Sequence, residues 1–533
     1  MKKKYFVIFG TFIMLNSSFL NAKNLENKAN EQVLNIGNGD DPKTLDPQKC
    51  NESTCTAIIK QLFEGLITTD VVGNIIPSSA EKWKVSNDGK IYTFFLKKNL
   101  KWSDNTSLTA KDFVYSFRRL VDPKIASEQA TLLESVMNAS EIIAGKKPIT
   151  SLGVYAVDDF TLEFVLSKPS PAFFENLTVT NTYPVQEKNV EKYKDTFTQV
   201  NNLISNGPYQ LKFRKVGDKV SVQKNPYYWD EKNYFIEKIN FFAVVDQNTE
   251  FSMYEAGQLD ITSNIPPNKF AQIKVKFSKE LVNNPYLASY VYVLNTQKKP
   301  LNNIKLRKAL SIAIDRDIIT RSVLGMGQKP LYDLVPYGIK NYSQNVSYWQ
   351  NWPRSKQLEE AKKLYQEAGF STQNPLIIHI LYNTNEAHKK IATSVAAMWK
   401  TNLGVQVETV NEEWKTMLDK RSSGDFEILR FGNIANINDA GDFLNQYRST
   451  DPMNDPKYKN TEYDRIVNLS LYESDSVKRK KYLENAAKIL QEDTPVIPIY
   501  SYVSTYLKKQ YINGFEKNNL GKYSLQGVYL QQK

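Results

Sequence analysis

The sequence predicts a mixed α/β fold of the α+β kind, divided into two or three lobes. Between residues 150 and 250, alternating polar and apolar runs are separated by Gly-Pro, Gly-Asp and Asn-Pro turns, which is typical of antiparallel sheet. From about residue 300, helices alternate with short apolar strands, which indicates a βα arrangement. A chain of 533 residues is too long for one hydrophobic core, so we expect separate lobes.

The segment 1–22 has the pattern of a secretory signal peptide. Lys2, Lys3 and Lys4 precede an apolar run, and a small residue, Ala22, stands at the expected cleavage point. Removing these 22 residues leaves 511 and lowers the formal charge from +12 to +9, because the segment carries three lysines and no acid. Later apolar stretches are too short to cross a membrane, so we expect an exported protein.

The only cysteines, Cys50 and Cys55, lie five positions apart in KCNESTC. An oxidising compartment favours a local disulfide between them. Two free thiols are the alternative, because so short a loop demands particular geometry. Neither His379 nor His388, the only histidines, stands near a cysteine at metal-ligand spacing, so we expect no metal site.

Charge and motifs exclude other classes of protein. The lysines are scattered among acids without a basic face that carries aromatics, which argues against nucleic-acid binding. The chain lacks G-x-S-x-G, H-E-x-x-H and a phosphate-binding G-x-x-x-x-G-K-[ST] loop. We therefore expect neither an enzyme nor a cofactor. A secreted hydrolase is the alternative from a different class, and a hydrolase assay would distinguish the two.

The first part of the chain predicts a strand over 33–38 and a helix over 56–66 with a buried apolar stripe. Asp88-Gly89 predicts a hairpin between KWKVS and IYTFFL. Thr109 and Asp112 form the pattern of a capping box, which predicts the start of a helix.

In the second part, Ser355 predicts the cap of a helix that ends near Gly369. The run PLIIHIL predicts a strand and places His379 in the core. His388 differs, since it stands at the polar start of a helix. Residues 405–410 predict a further strand.

The stretch 414–444 carries the densest set of candidate binding residues. The apolar segment 426–429 predicts a short strand that ends in a polar loop, with Arg430 at its carboxyl end. Ligands of open α/β sheets usually bind at that edge. A solvated basic rim is the alternative interpretation, and these residues alone do not decide between them.

Several segments, in order, resemble the solute-binding proteins of peptide ABC importers. They include LKKNLKWSDNTSLTAKDFVYSFRRLVDP, SNGPYQLKF, KNPYYW, LRKALSIAIDRDII, LYNTNEAHKKIATSVAAMWK, VNEEWKTMLDKR and VIPIYSYV. The resemblance covers nearly the whole chain after the signal peptide. It implies a periplasmic monomer that binds an oligopeptide, delivers it to a membrane permease and its ATPase, and needs no cofactor.

The resemblance also implies the architecture: a two-lobed periplasmic binding protein of the large peptide-binding type, with three domains and a hinge. Lobe I comprises residues 33–63, 187–287 and 504–533 and is mainly β. The segment 64–186 forms domain II, packed on lobe I. Residues 288–503 form lobe II.

Family positions for binding the peptide carboxylate fall on Arg421, Arg430 and His388. Further groove positions fall on Trp414, Tyr286, Tyr502, Gly432 and Asn264. From the residues alone, Arg421 could be a solvated loop arginine and Arg430 an internal ion-pair partner, and each aromatic could be core packing.

The chain departs from the family where the ligand's amino end lies. Asn436 replaces an aspartate, and Asp439 or Asp442 could substitute only if the loop path differs. Other family groove positions fall on Val293, Asn51, Gln129 or Leu132, and Leu324, while a cysteine pair of some relatives falls on Ala288 and Ile434. We therefore hypothesise a ligand with an altered amino end: blocked, lactyl-linked as in murein peptides, or weakly held.

Overall fold

The computed structural model describes residues 27–70 and 73–532. The predicted signal peptide, 1–22, lies outside these residues. Within the described part, no helix combines the length and apolar character needed to cross a membrane.

The described residues contain eighteen strands. In chain order they are β1 (Val33–Gly37), β2 (Ile67–Thr69), β3 (Ile75–Pro77), β4 (Ala80–Val85), β5 (Ile91–Leu96), β6 (Val154–Asp158), β7 (Thr161–Val165), β8 (Tyr209–Lys215), β9 (Lys219–Lys224), β10 (Lys238–Phe242), β11 (Leu281–Leu294), β12 (Lys329–Pro330), β13 (Ile377–Asn383), β14 (Gln406–Glu412), β15 (Ile428–Ile434), β16 (Val496–Leu507), β17 (Ile512–Asn513) and β18 (Tyr529–Leu530).

The α-helices of the same residues are α1 (Ser53–Leu62), α2 (Ala110–Val121), α3 (Ala139–Ile143), α4 (Phe173–Asn176), α5 (Glu187–Tyr193), α6 (Gln247–Glu255), α7 (Phe270–Lys276), α8 (Ile304–Ala313), α9 (Arg354–Glu367), α10 (Glu386–Leu403), α11 (Trp414–Ser423), α12 (Gly441–Leu444), α13 (Thr461–Tyr472) and α14 (Ser476–Asp493). A π-helical segment spans Ile318–Leu324.

Two four-stranded sheets dominate the first half of the chain. One has the order β4-β5-β7-β6 and is antiparallel throughout. The other has the order β1-β10-β9-β8, in which β1 runs parallel to β10 and the remaining pairs are antiparallel. The alternating runs between 150 and 250 thus form antiparallel pairs, as predicted.

A six-stranded mixed sheet with the order β12-β16-β11-β15-β13-β14 organises the second half. Strand β13 pairs in parallel with β14 and β15, and helices α10 and α11 connect these strands, so the predicted βα arrangement is confirmed here. Two apolar clusters cover the sheet. One surrounds Trp399, and the other surrounds Tyr463.

Strands β11 and β16 connect the two halves of the molecule. Their antiparallel pairing extends from Leu281 opposite Leu507 to Val293 opposite Val496, with a register shift between Pro285 and Ser289. Leu507 packs in the cluster around Tyr254, whereas the other end of the pair lies in the six-stranded sheet. A paired ribbon with a local irregularity can bend there without losing its hydrogen bonds elsewhere.

Several local predictions are confirmed. Strands β4 and β5 form the hairpin around Asp88-Gly89, and Gly89 has a positive φ of 68°. The Thr109 amide and hydroxyl both donate to Asp112 Oδ2, which closes the capping box at the start of α2.

Other boundaries and one residue were predicted wrongly. Helix α1 begins at Ser53 and ends at Leu62, and Ser355 lies inside α9, whose cap is Pro353. Strand β15 continues to Ile434, so Arg430 lies within the strand and not at its carboxyl end. His379 is not a core residue: its side chain is 46% exposed and its ring nitrogens contact Glu427 and Glu408. It points away from the core because alternate side chains of a strand face opposite sides.

Candidate functional site

A large cleft lies between the two halves of the molecule. It contains about 1880 Å³ of empty space, part of it open to solvent. Its walls come from four parts of the chain: residues 50–61, residues 129–181, Tyr286 with 414–479, and residues 520–523. Elements that are distant in sequence therefore enclose one space, which is the usual arrangement of a ligand site between lobes.

Helix α1 supplies one wall of the cleft. Its lining residues have the spacing of a single helical face: Ser53, Thr56, Ala57, Lys60 and Gln61. The opposite face consists of core residues that are fully buried: Cys55, Ile58, Ile59 and Leu62. The apolar face fixes the helix in the first lobe, so small and polar side chains face the cleft. Lys60 is the only charged residue on that face.

The facing wall is the end of β15 and the loop that follows it, 431–437. The Asn436 amide donates to Asp442 Oδ2 over 2.6 Å, and Lys522 Nζ donates to the Asn436 carbonyl oxygen over 2.5 Å. Asn436 is therefore held on both sides, by a carboxylate and by an ammonium group.

Burial changes the acidity of these groups. It raises the pKa of Asp442 to about 6 and lowers the pKa of Lys522 to about 8. Burial and the nearby charge of Lys522 lower the pKa of Lys60 to about 7. The cleft thus places two lysines close enough for their charges to interact, beside the loop of Asn436.

The remaining charged side chains of the cleft are mostly paired. Arg479 binds Asp439 through two hydrogen bonds of 2.5 and 2.8 Å. Arg448 binds Glu134 through two more, of 2.8 and 3.0 Å. Because Asp439 is already bound to Arg479 and Asp442 accepts backbone amides, neither stands free where Asn436 replaces an aspartate.

Four of the predicted site residues line the cleft: Trp414, Tyr286, Gly432 and Asn436. A side chain at Gly432 would meet the Tyr502 hydroxyl at 3.2 Å, so a larger residue would crowd this wall. Among the positions that depart from the family, Asn51, Gln129 and Leu132 also line the cleft. Val293 and Leu324 are buried in apolar clusters instead.

Asn264 and Tyr502 are not among the lining residues. Asn264 lies exposed in the loop after Ile261. Tyr502 lies on β16, where its hydroxyl accepts a hydrogen bond from Arg430. Ala288 and Ile434 are direct cross-strand partners of β11 and β15, which is the proximity that a bridged pair would need.

Arg421 was predicted to bind a peptide carboxylate, but here its side chain is 1% exposed and bound to carboxylates of the protein. Nε donates to Asp455 over 2.8 Å, and Nη2 donates to Glu128 over 3.0 Å. The guanidinium also lies 4.6 Å from the ring centre of Phe431. The alternative of a solvated loop arginine is wrong, because the side chain is buried.

Arg430 packs under Gly432. Its guanidinium lies over the ring of Tyr290 at 4.6 Å, donates to the Tyr502 hydroxyl and reaches Asn383 at 3.3 Å. Its role toward a ligand carboxylate stays a prediction. The alternative of an internal ion pair is not what the structure shows, since these partners are neutral.

The role of His388 toward a ligand carboxylate stays a prediction, but the structure gives this side chain no positive charge for it. Burial and the adjacent charge of Arg430 lower the pKa of His388 well below its usual range, so the ring is neutral at neutral pH. The ring lies 5.6 Å from that of Tyr290. A neutral imidazole could donate one hydrogen bond to a carboxylate, but it adds no positive charge.

Several polar contacts join the two walls of the cleft. They include Lys415–Asp41 at 2.9 Å, Lys43–Asp419 at 2.6 Å, Arg421–Glu128 at 3.0 Å, Arg448–Glu134 at 2.8 Å, and the hydrogen bond from Trp414 Nε1 to Glu52. In each pair, one residue precedes position 135 and the other follows position 413. These contacts require the two halves to be close together, so the structure is a closed form.

Cys50 and Cys55 form a disulfide, which resolves the two alternatives left by the sequence. The bridge closes the loop before α1, and Cys50 lines the cleft. Within the described residues, no group of three or more His, Cys, Asp or Glu side chains is placed to hold a metal ion.

Sequence reasoning did not identify Lys60 or Lys522 as site residues. The polar spacing opposite the apolar stripe of α1 could have identified Lys60, because a two-faced helix places these positions on one side. No local signal marks Lys522, which reaches the cleft only because the C-terminal segment packs against the loop of Asn436.

Comparison with known proteins gives one family. The family of bacterial extracellular solute-binding proteins, family 5 Middle, matches residues 74–455. The periplasmic oligopeptide-binding protein OppA of Salmonella typhimurium is 39% identical over 506 residues, covering 94% of this chain and 92% of the relative. The periplasmic murein peptide-binding protein MppA of Escherichia coli is 39% identical over 483 residues, covering 90% of this chain and 89% of the relative.

Solved structures agree in fold. Haemophilus influenzae OppA in complex with RPPGFSPFR superposes with a TM-score of 0.92 at 38% identity, covering 95% of this chain and 100% of that one. The murein tripeptide-binding protein MppA of Escherichia coli gives a TM-score of 0.93 at 37% identity, with the same coverage. The unliganded open form of MppA gives 0.67, also at 37% identity, covering 95% of this chain and 98% of that one.

Proposed function

Since the chain belongs to the bacterial extracellular solute-binding proteins of family 5, we propose that it captures oligopeptides in the periplasm between two closing lobes. It then delivers them to the permease and ATPase subunits of an ABC importer. It acts as a monomer and binds its ligand without converting it. The observation that carries this proposal is the cleft of about 1880 Å³, whose walls come from both halves of the molecule.

The shape of the cleft suits an extended ligand with polar ends. Backbone of β15 and its loop lines one wall, and the polar face of α1 lines the other. Strand β15 pairs with β13 only at Ile428 and Leu429, so on that side residues 430–434 leave backbone groups with which the main chain of an extended peptide can pair. The relatives named for oligopeptides and murein peptides cover nearly the whole chain, which supports the same ligand class.

Closure is supported by the structural comparisons. The TM-score is 0.93 with the murein tripeptide-binding protein MppA but 0.67 with the unliganded open form of MppA. The sequence identity is 37% in both comparisons. Sequence distance therefore does not explain the difference, which supports a different relative position of the lobes in the open form. In our proposal, ligand binding favours the closed form through contacts that exist only when both walls meet.

We propose that the moving units are those suggested by sequence: lobe I of 33–63, 187–287 and 504–533, with 64–186 packed on it, and lobe II of 288–503. The two four-stranded sheets fall in the first unit, and most of the six-stranded sheet falls in the second. The irregular pairing of β11 and β16 between Pro285 and Ser289 supports a hinge close to these boundaries.

A second ligand class is favoured by Asn436: a modified or amino-blocked peptide, such as a murein peptide. Asn436 carries no charge, and its carbonyl already accepts the Lys522 ammonium. A free ligand amine would meet a lysine here instead of an unpaired carboxylate. A charged partner is worth about 1–2 kcal/mol more than a neutral hydrogen bond, so we expect a free amine to be held weakly.

Isothermal titration of one tripeptide, free and N-acetylated, tests the ligand class in a protein that lacks residues 1–22. Small-angle scattering in the same samples reports closure. We expect the acetylated peptide to bind at least as strongly as the free one. We also expect the protein to become more compact when either peptide binds. A strong preference for the free amine would refute the amino-blocked class, and absence of binding by both would refute the peptide function.

The secreted hydrolase is tested in parallel. Incubation of the bound peptides with the purified protein, followed by mass spectrometry, should return them intact. Turnover that survives repeated purification and follows the protein concentration would favour the hydrolase.

A further inference from the structure

We propose that Lys60 and Lys522 form an anion-binding subsite, which takes a carboxylate carried by the ligand at the end of the cleft beside Asn436. This inference rests on the proposed peptide-binding function. It makes Lys60 a specificity-determining residue, because its charge has no role in holding the closed structure together.

The first observation is that Lys60 lines the cleft without a partner. The other cations of the lining are bound to protein oxygens: Arg448 to Glu134, Arg479 to Asp439, and Lys522 to the Asn436 carbonyl. In the described part of the chain, Lys60 makes no hydrogen bond or ion pair, yet its side chain faces the enclosed space. An ammonium group that is removed from water without a counter-ion is costly.

The second observation is the clustering of positive charge. Lys60 of α1 and Lys522 of the C-terminal segment both line the cleft, and the charge of Lys522 acts on Lys60. Two like charges in a partly closed space repel each other, and an anion between them removes that repulsion. Lys522 has three donor hydrogens and uses one for Asn436, so donors remain available for a ligand.

The third observation concerns the acids nearby. Asp442 accepts the amides of Asn436 and Ile437, and burial raises its pKa to about 6, so it is ionised at neutral pH. Glu52 accepts hydrogen bonds from the Lys43 amide and from Trp414. Neither carboxylate bonds to Lys60. Asp442 is the acid that acts on Lys522. Lys60 has no carboxylate partner among the described residues, so a carboxylate of the ligand can serve as its counter-ion.

A carboxylate is the chemistry that fits, because lysine binds it as a compact charge through short, charge-assisted hydrogen bonds. It could stand on an acyl group that blocks the amine or on an acidic side chain near it. Both place a negative group beside Asn436, and the probes below isolate the charge from the size of the group.

The test uses one tripeptide with three amino ends: free, N-succinyl and N-succinamyl. Succinyl and succinamyl have nearly the same size, but only succinyl ends in a carboxylate. Titration of the protein without residues 1–22 should give about tenfold tighter binding for the succinyl peptide than for the succinamyl peptide. Equal affinities would overturn the proposal, whatever the variants do.

Two variants locate the effect. Lys60→Gln should lose most of the preference for the succinyl peptide, because only Lys522 then supplies a positive charge, and it should bind the succinamyl peptide as the wild type does. Lys60→Arg should retain the preference, because it retains the charge. Lys274→Gln, an exposed position on α7, is the matched control. If Lys60→Gln weakens both peptides alike, Lys60 acts through packing and the proposal fails.

The same titrations separate this inference from the function on which it rests. Binding of the free and succinamyl peptides with closure, but without a succinyl preference, overturns the subsite and leaves peptide capture intact. Absence of binding by all three peptides overturns both.

Discussion

Arg448 and Glu134 face each other across the cleft and form two parallel hydrogen bonds of 2.8 and 3.0 Å. Arg448 is 6% exposed and Glu134 is 16% exposed in their side chains. Arg448 also reaches Asp451 in its own lobe at 3.4 Å. When the lobes separate, Arg448 keeps Asp451 but loses Glu134, so this pair stabilises the closed form selectively.

Glu134→Gln should therefore weaken ligand binding by roughly tenfold, because one charged contact of the closed form is lost while the open form is unchanged. Isothermal titration measures the affinity, and scattering measures the closed fraction at saturating ligand. The fold should be unaffected, since Glu134 lines the cleft and is not part of the apolar core.

The control for this variant is Glu462→Gln. Glu462 pairs with Arg465 three residues away on α13, and both side chains are more than half exposed. Its removal should change neither affinity nor closure. An equal effect of both variants would show that general charge, and not the contact between lobes, controls binding.

Arg421→Met should destabilise the fold. The substitution leaves Asp455 buried beside Glu128 without its cation, and such uncompensated burial costs about 3–5 kcal/mol. Urea denaturation measures the loss. Arg465→Met, at an exposed pair, should change the free energy of unfolding by less than about 0.5 kcal/mol.

This experiment also decides the role that the family resemblance gives to Arg421. A variant with wild-type stability that no longer binds peptides would show that its charge serves a ligand carboxylate, and the ion pairs seen here would then be secondary.

Asn436→Asp should increase the affinity for free-amine peptides relative to N-acetylated ones, because a carboxylate would stand beside the ligand's amino end. The gain should be less than about tenfold, since Lys522 and the neighbouring Asp442 both compete with the ligand amine. Titration of the peptide pair measures the ratio. The control is Asn268→Asp, at an exposed position that does not line the cleft, and it should leave the ratio unchanged.

The sequence predicted the parts of this fold whose causes are local. Thr109 and Asp112 are three positions apart, so their capping box needs only the helix that they start. The apolar runs of β13 and β14 likewise contain their own periodicity. His379 was misplaced because an apolar run does not reveal which face of a strand is covered, and its side chain lies on the uncovered face.

The site was harder to predict because its groups come from distant segments. Trp414, Tyr286, Gly432 and Asn436 were found through the family resemblance, not through any local pattern. The resemblance did not reveal that Arg421 is already bound to Asp455 and Glu128. Arg421 and Glu128 are 293 positions apart in the sequence. Lys522 is separated from Asn436 by 86 positions, and only tertiary packing brings them together.

The last prediction concerns pH. Burial and Lys522 lower the pKa of Lys60 to about 7, from a usual value of 10.5, so the unliganded cleft favours a neutral Lys60 above that pH. A bound carboxylate favours the charged form and raises this pKa, so binding takes up a proton above about pH 7. The affinity for the succinyl peptide should therefore fall as the pH rises from 7 to 9. The charged groups facing this site are Lys522, whose pKa of about 8 lies in the same range, and Asp442, which is already ionised there.

Two comparisons isolate Lys60. In Lys60→Gln, the decline with pH should be shallower, since only Lys522 still titrates. The succinamyl peptide should bind with little dependence on pH in either protein, because it brings no charge to favour a protonated lysine. Titrations in two buffers with different ionisation enthalpies count the protons directly. An uptake that is the same for wild type and Lys60→Gln would show that Lys60 stays charged without ligand, and would remove it as the source of the pH dependence.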